Sequence, residues 1–247
     1  MIGPAKEVSP MAIPIQNCFE RYEKKYRLTP AQQRVILSGM ASHMKPDAYG
    51  AYTICNIYYD TDNWQLIRTS LEKPVYKEKL RVRSYGVPDD DGRVFVELKK
   101  KYDGVVYKRR ITTRACEAAP FLKEADPDAH GQIGQEIAWF QQLRRTKPRV
   151  FIAYDRLAFA GIDDPQLRIT FDTNLRWRDT DLDLRLGDHG APIADPDMIL
   201  MEIKIPGVCP LWLSQLLARA KAYPTSFSKY GCCYQRHIIP KEGCHCA

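Results

Sequence analysis

The chain has 247 residues, 45% of them apolar, enough for a sizeable core in one large domain or two small ones. With 37 Lys and Arg against 30 Asp and Glu it carries a net charge of +7, a modest basic excess that favours an anionic ligand without naming it. No apolar run of about eighteen residues occurs, which excludes a helical membrane span, and the Pro-rich start lacks the apolar stretch of a secretory signal.

In chain order, residues 1–17 read as a flexible leader. Residues 19–28 have strand character, with Arg21, Glu23 and Lys25 on one face. Thr29-Pro30 is a helix start, Thr as N-cap and Pro at the first helical position, and a helix is expected over 31–43. A strand follows over 52–60, then a short helix to residue 71 capped from Asp60-Thr61-Asp62-Asn63. Residues 76–114 read as three strands joined by two turns, one at 87–92 and one at Tyr102-Asp103-Gly104. Residues 115–145 look helical, with Ile133, Ile137, Phe140 and Leu143 as the apolar stripe. Strands are expected over 149–161, 167–178, 182–186 and 198–205, and a helix over 211–222. Residues 225–231 read as a loop or helix start, and the remainder as a tail.

Charges inside these strands alternate with apolar residues. Lys77, Lys79, Arg81 and Arg83 share a face, as do Glu97 and Lys99, Lys108 and Arg110, Arg168 and Asp172, and Glu202 and Lys204. Arg156 follows Tyr154 in the same period. A half-buried sheet with a solvated side is the ordinary reason for such alternation. Here, however, the polar faces hold mostly Arg and Lys, and the opposite faces are apolar enough to be covered by helices. That points to an interior lined by cations, which would be stable only when a polyanion fills it. Phosphate chains fit, since Arg offers a bidentate fork and Lys a point charge. Glu97 and Glu202, with Glu23 and Asp172 as further carboxylates, are candidate oxygen ligands for Mg²⁺ or Mn²⁺.

The segments FERYEKKY, KLRVRSYG, FVELKKK, YKRR, AYDRLAF, LRITFDTNL, MEIKIPG and SFSKYG, in this order and spacing, resemble the VTC domain of vacuolar transporter chaperone polyphosphate polymerases, within the triphosphate tunnel metalloenzyme (CYTH-like) superfamily. The resemblance implies an α+β fold, a closed antiparallel eight-stranded β-barrel (the triphosphate tunnel) with peripheral helices. It would span residues 18–232, between the leader and a Cys-containing tail at 233–247. Lys25, Arg81, Arg83, Lys99, Lys108, Arg156, Arg168, Lys204 and Lys229 are the implied ligands of triphosphate or polyphosphate. Glu202, with Glu97, is the implied holder of Mn²⁺ or Mg²⁺. Arg81, Arg83, Lys99 and Glu202 are the implied catalytic set. The implied reaction moves the γ-phosphoryl of ATP onto a growing inorganic polyphosphate chain and releases ADP. Two other readings stay open: a hydrolase of tripolyphosphate or nucleoside triphosphates, and a non-catalytic module that binds polyphosphate or nucleotide. The superfamily's E-x-E-x-K signature appears as Arg21-Tyr22-Glu23-Lys24-Lys25, with Arg in place of the first Glu, which tilts the reading toward polymerase-type domains.

Eukaryotic polymerases of this kind also carry a regulatory SPX domain and a membrane anchor. Neither is seen in this sequence, so a stand-alone cytoplasmic domain is the expectation, compatible with a peripheral membrane partner. No nucleic-acid partner is expected, because the basic residues lie in alternating strands without an exposed stacking platform. Motifs of nucleotide-binding loops, zincins and serine hydrolases are absent. Cys232, Cys233, Cys244 and Cys246 cluster without a C-x-x-C pair, so a flexible reactive tail is expected over a metal clip or disulfide. The five histidines show no ligand spacing.

Overall fold

The computed structural model describes residues 22–103, 105–128 and 130–243, with side chains through Lys241. Ten strands form one antiparallel sheet: β1 (Tyr22–Leu28), β2 (Met44–Asp60), β3 (Tyr76–Tyr85), β4 (Arg93–Tyr102), β5 (Val105–Arg114), β6 (Lys147–Gly161), β7 (Arg168–Arg178), β8 (Ala191–Pro192), β9 (Ile199–Ile205) and β10 (Pro224–Thr225). Their order is β10-β1-β9-β7-β6-β2-β3-β4-β5, with β8 paired to β7 off this path.

The apolar sides of the strands face outward onto helices. Helices α3 (Ala115–Glu124) and α4 (Gly131–Arg144) bring Phe121, Leu122, Ile137 and Phe140 onto Ile57, Leu80, Val82, Val96 and Leu98. Helices α1 (Pro30–Met40) and α5 (Leu211–Arg219) bring Ile36, Met40, Leu213 and Leu216 onto Tyr26, Ile169, Phe171, Met201 and Ile203. Helix α1 starts as its sequence dictates. The Thr29 Oγ1 accepts the Gln32 N–H at 3.3 Å, and the Gln32 side chain accepts the Thr29 N–H at 3.0 Å. The same Gln32 amide donates to the carbonyls of Ala220 and Lys221, tying α1 to the end of α5. With both outer halves covered, the charged alternation has only the inside left to it.

The inner side is not charged throughout. Where β2 ends and β6 begins it is apolar, and short helices fill it. Helix α2 (Gln65–Leu71) contributes Leu66 to the outer core and Ile67 to this inner one. Helix α6 (Lys229–Cys233), a π-helical turn (Tyr234–Ile238) and α7 (Ile239–Gly243) follow one another at the C-terminus. Tyr230, Cys233, Tyr234 and Ile238 pack there against Ile54, Tyr58, Val150, Ile152 and Leu175. A tail beginning at 233 is therefore corrected as far as Gly243: the chain continues as helix because these side chains have an apolar surface to bury. Residues 1–17, Cys244 and Cys246 lie outside the described residues. The buried thiols are poor nucleophiles, since burial raises Cys55 to about 11 and pushes Cys233 higher still. The five described cysteines are all free.

Asp60 fastens this end. Its carboxylate, fully buried, accepts the N–H groups of Thr61, Leu66 and Ile67 and the hydroxyl of Tyr230 at 2.8 Å. The Tyr230 ring lies stacked on Tyr58, centroids 4.6 Å apart. Tyr230→Phe keeps that stack and removes one hydrogen bond to a buried carboxylate, so it is expected to cost about 1.5–3 kcal/mol. Urea unfolding measures this; an unchanged midpoint would show that the Asp60 link adds nothing.

The expected closed eight-stranded barrel is also corrected. Among the described residues the sheet has ten strands, and its two edges, β5 and β10, do not pair with each other. Strand β10 is two residues long and one of them is Pro224, which has no N–H to offer a ladder. Strand β5 begins with Val105, Val106 and Tyr107 half exposed. The sheet is thus rolled but slit along one side. Residues 182–186, expected as a strand, instead hold a 3₁₀ turn at Leu184–Leu186, capped by the Asp183 carboxylate on the Arg185 N–H.

Candidate functional site: a cation-lined groove

Strand register sets the cations opposite one another. On β3, β4 and β5, Arg81 stands beside Glu97 and Glu97 beside Arg110, while Lys79 stands beside Lys99 and Lys99 beside Lys108. Glu97 is the hub of this wall and is 1% exposed. It accepts from Arg81 Nε at 2.8 Å, from Arg110 Nε at 2.8 Å and from Lys108 Nζ at 2.6 Å. Arg83 Nε lies 3.9 Å away and donates instead to Asn56 Oδ1 at 3.0 Å. Burial alone would raise the Glu97 carboxyl, but Arg81, Arg83 and Lys108 override it and hold it well below the usual carboxylate range.

The facing wall is built on β6, β7, β9 and β1, with α6 supplying one residue. Asp172, fully buried, takes a bidentate fork from Arg156 at 2.6 and 2.8 Å and the Lys229 ammonium at 2.6 Å. Helix α6 begins at Lys229, capped by Ser228, whose Oγ accepts the Gly231 N–H at 3.1 Å. Lys229 thus reaches the groove because its helix is buried beneath it. Lys25 stands beside Glu202 in register, and its ammonium donates to the Phe227 carbonyl at 3.2 Å. Lys204 and Arg168 are neighbours on β9 and β7; Arg168 sits at the rim, 3.5 Å from Asp47.

The slit lies between these walls. A cavity of about 1090 Å³ runs through it, lined by Glu23, Lys25, Lys77, Lys79, Lys99 and Lys101 among others. Lys79 spans the gap, donating to Ser228 Oγ at 3.2 Å. Burial, together with crowding of like charge, lowers the pKa of lysines in this wall. Burial first, then Lys99, Lys25 and Lys77, brings Lys79 down to about 8 against the opposing pull of Tyr58. Burial, aided by Arg110 and Arg81 and opposed by Glu97, brings Lys108 to about 8. Burial would raise Tyr58, but Arg81, Lys79 and Arg83 pull it down to about 8.

All the sequence-predicted site residues therefore lie on the inner side or its rim. Lys79 and Arg110, which belong to the same alternation, join them. Tyr58 and Tyr154 do so too, through hydroxyls that accept from Arg81 at 3.3 Å and Arg83 at 3.4 Å. The carboxylates divide into two kinds. Glu97 and Asp172 have their oxygens taken by guanidinium and ammonium groups, which makes them counter-ions that hold the cations in place. Glu97, expected as a second metal ligand, here has its oxygens taken up by Arg81, Lys108 and Arg110, with Arg83 close by. Glu202 is different. Among the described residues its nearest ionic partner is Lys204 at 3.8 Å, and burial, which would raise it, is outweighed by Lys25, Lys204, Lys229 and Arg156, so it stays ionised. Its register partner Thr170 has a buried hydroxyl with no hydrogen-bond partner among the described residues.

No group of three His, Cys, Asp or Glu that could cage a metal occurs among the described residues. A carboxylate with only the one loose ion pair to Lys204, beside a hydroxyl unpartnered among the described residues, does fit a hard divalent cation that takes most of its ligands from phosphate and water.

A family model for the VTC domain matches residues 20–238. The chain belongs to the VTC domain family. Over 161 residues this VTC domain is 28% identical to vacuolar transporter chaperone complex subunit 4 of Schizosaccharomyces pombe, an alignment that takes in 55% of this chain and 22% of the yeast protein. The match thus spans about a fifth of that relative's length. Two solved structures share the fold. A Bacillus halodurans protein provisionally assigned as an adenylate cyclase superposes with a TM-score of 0.53 at 14% identity, over 87% of this chain and 95% of that one. A Hippeastrum protein, also provisionally an adenylyl cyclase and described as having a dominant triphosphatase activity, gives 0.51 at 13%, over 86% and 94%. Among the described residues, no helix is long and apolar enough to cross a membrane.

Proposed function

We propose that this VTC domain binds the triphosphate of ATP in the groove and transfers the γ-phosphoryl to the end of an inorganic polyphosphate chain, releasing ADP. The observation that carries the reading is the facing pair of cation walls, each held rigid by its own buried carboxylate. Such a site is preorganised for a linear polyanion and pays no reorganisation when the charge arrives. Membership of the VTC family supports polyphosphate as the acceptor.

In this reading Arg81, Arg83, Lys99 and Lys108 grip one flank of the phosphate chain, and Arg156, Lys229 and Lys25 the other. Arg forks fix the phosphoryl group in line with its acceptor, and the cations offset charge moving to the leaving diphosphate. Glu202 and Thr170 would hold Mn²⁺ or Mg²⁺, which would supply positive charge to offset that of the phosphates. A polyphosphate terminus is itself the nucleophile, so the protein supplies positioning and charge and no covalent intermediate.

The second reading is a hydrolase, favoured by one feature: the slit admits water to the same phosphates. Incubation of the purified protein with ATP and Mn²⁺, with products resolved by chain length on a gel, separates the two. Long polymer with ADP supports the transferase; orthophosphate or tripolyphosphate supports the hydrolase. No metal-dependent consumption of any polyphosphorylated substrate sinks both.

Binding should depend on pH with a definite sign. Lys79 and Lys108 are charged below about 8 and neutral above it, and a bound polyanion restores their protons. Tyr58 gains negative charge over the same range. Tripolyphosphate affinity is therefore expected to fall from pH 7 to pH 9, by up to about tenfold for each lysine that titrates. Calorimetry in metal-free buffer measures this, and Lys79→Arg, which stays charged, should flatten the curve. An affinity that is level or rising with pH contradicts the assignment.

A further inference from the structure

At the end of the groove away from α6, the inner face turns aromatic. Tyr52 on β2, Tyr85 at the close of β3 and Phe95 near the start of β4 form a row, with ring centroids 5.9 and 5.7 Å apart and interplanar angles of 61° and 79°. Tyr49 extends the row, 6.2 Å from Tyr52. It is placed there by an irregularity in β2: residues 47–50 stand opposite the single residue Ala158, and Gly50 takes the left-handed conformation, φ 63°, that the detour needs. The Arg110 guanidinium lies 4.5 Å over the Phe95 ring.

The row is continuous with the phosphate walls. Phe95 is the register partner of Arg83, and Tyr52 is the register partner of Arg156. It is also open to solvent, with Tyr85 at 51% exposure and Tyr49 at 80%. Core aromatics of the same sheet, such as Tyr58 and Tyr59, are buried. An exposed set of π-faces joined directly to a cation-lined groove has the chemistry of a nucleotide site: stacking for the base, cations for the phosphates.

We propose that Tyr85 and Tyr49, backed by Tyr52 and Phe95, bind the base of the nucleoside triphosphate whose phosphates enter the groove. The proposal rests on the triphosphate reading and adds to it the means by which the site tells a nucleotide from inorganic tripolyphosphate. Stacking contacts dominate it, so purine nucleotides should bind ahead of pyrimidine nucleotides.

The test is calorimetric titration of the full chain in EDTA, which prevents turnover, with ATP and with tripolyphosphate. Tyr85→Ala is expected to weaken ATP binding by at least about fivefold, the low end for a base stacked on an aromatic ring. Tripolyphosphate affinity should be unchanged, and Tyr85→Phe should bind ATP like the wild type. Tyr49→Ala, at a far more exposed position, provides a second variant should Tyr85→Ala fold poorly, and the same selective loss is expected of it. Equal losses for both ligands, or none for either, overturn the base site while leaving the triphosphate reading intact. A wild-type chain that binds neither ligand overturns both.

Discussion

Glu202→Gln is expected to lower metal-dependent turnover of ATP by about a hundredfold or more, because it removes a buried inner-wall carboxylate whose nearest cation, Lys204, lies 3.8 Å away, too far for a hydrogen bond. The variant keeps the shape of the side chain, and the outward-facing Met201 and Ile203 beside it keep their place in the core. Its second signature has the opposite sign. Glu202 stands among Lys25, Lys204, Lys229 and Arg156, so neutralising it makes the groove more positive. Tripolyphosphate should therefore bind more tightly to the variant in EDTA, even as turnover with Mn²⁺ collapses. A merely structural residue would weaken both. Turnover with Mn²⁺ that survives the substitution would remove Glu202 from the metal site.

Glu97→Gln should instead act on stability. It leaves Arg81, Lys108 and Arg110 without their shared counter-ion in a buried setting, for which a cost of about 3–5 kcal/mol is the usual scale. Urea unfolding provides the measure, with Glu136→Gln as the control. Glu136 also bridges two cations, Lys100 and Arg109, but on the outer surface, so its loss should stay within about 1 kcal/mol. The two variants should also differ in rescue. Tripolyphosphate supplies the negative charge that Glu97→Gln lacks, so it should raise the melting temperature of that variant by more than it raises the wild type's. Equal costs for the two substitutions would mean that Glu97 is no hub.

Much of the groove was legible before any coordinates. Period-two alternation on residues 76–114 placed Arg81, Arg83, Lys99 and Lys108 on one face, and the apolar partners Leu80, Val82, Val96 and Leu98 predicted the helices that cover them. What alternation does not encode is which cation sits beside which anion, because that depends on register between strands far apart in the chain. Asp172 read as one more candidate ligand; only the packing of α6 brings Lys229 onto it, 57 residues away. Closure failed for a related reason. A strand pattern says which face is buried, whereas whether two edges meet depends on β10 being cut to two residues by Pro224. Beyond the helix start read at 225–231, the C-terminal helical turns were missed because residues 229–243 have no long amphipathic run; their helicity is owed to the pocket they fill.

The slit has a mechanical consequence. A sealed pipe stoppered at one end by Tyr230 and its neighbours would trap a lengthening thread, which could back out only the way it came. A trough open along its flank imposes no such threading. On the proposed reading a phosphate polymer could be laid in or lifted out sideways once the Lys79–Ser228 contact across the slit gave way, so its hold on the chain would be mainly ionic. On that reading, dwell time on the protein, and with it the length of thread handled in one visit, would be governed by the salt around it rather than by enclosure.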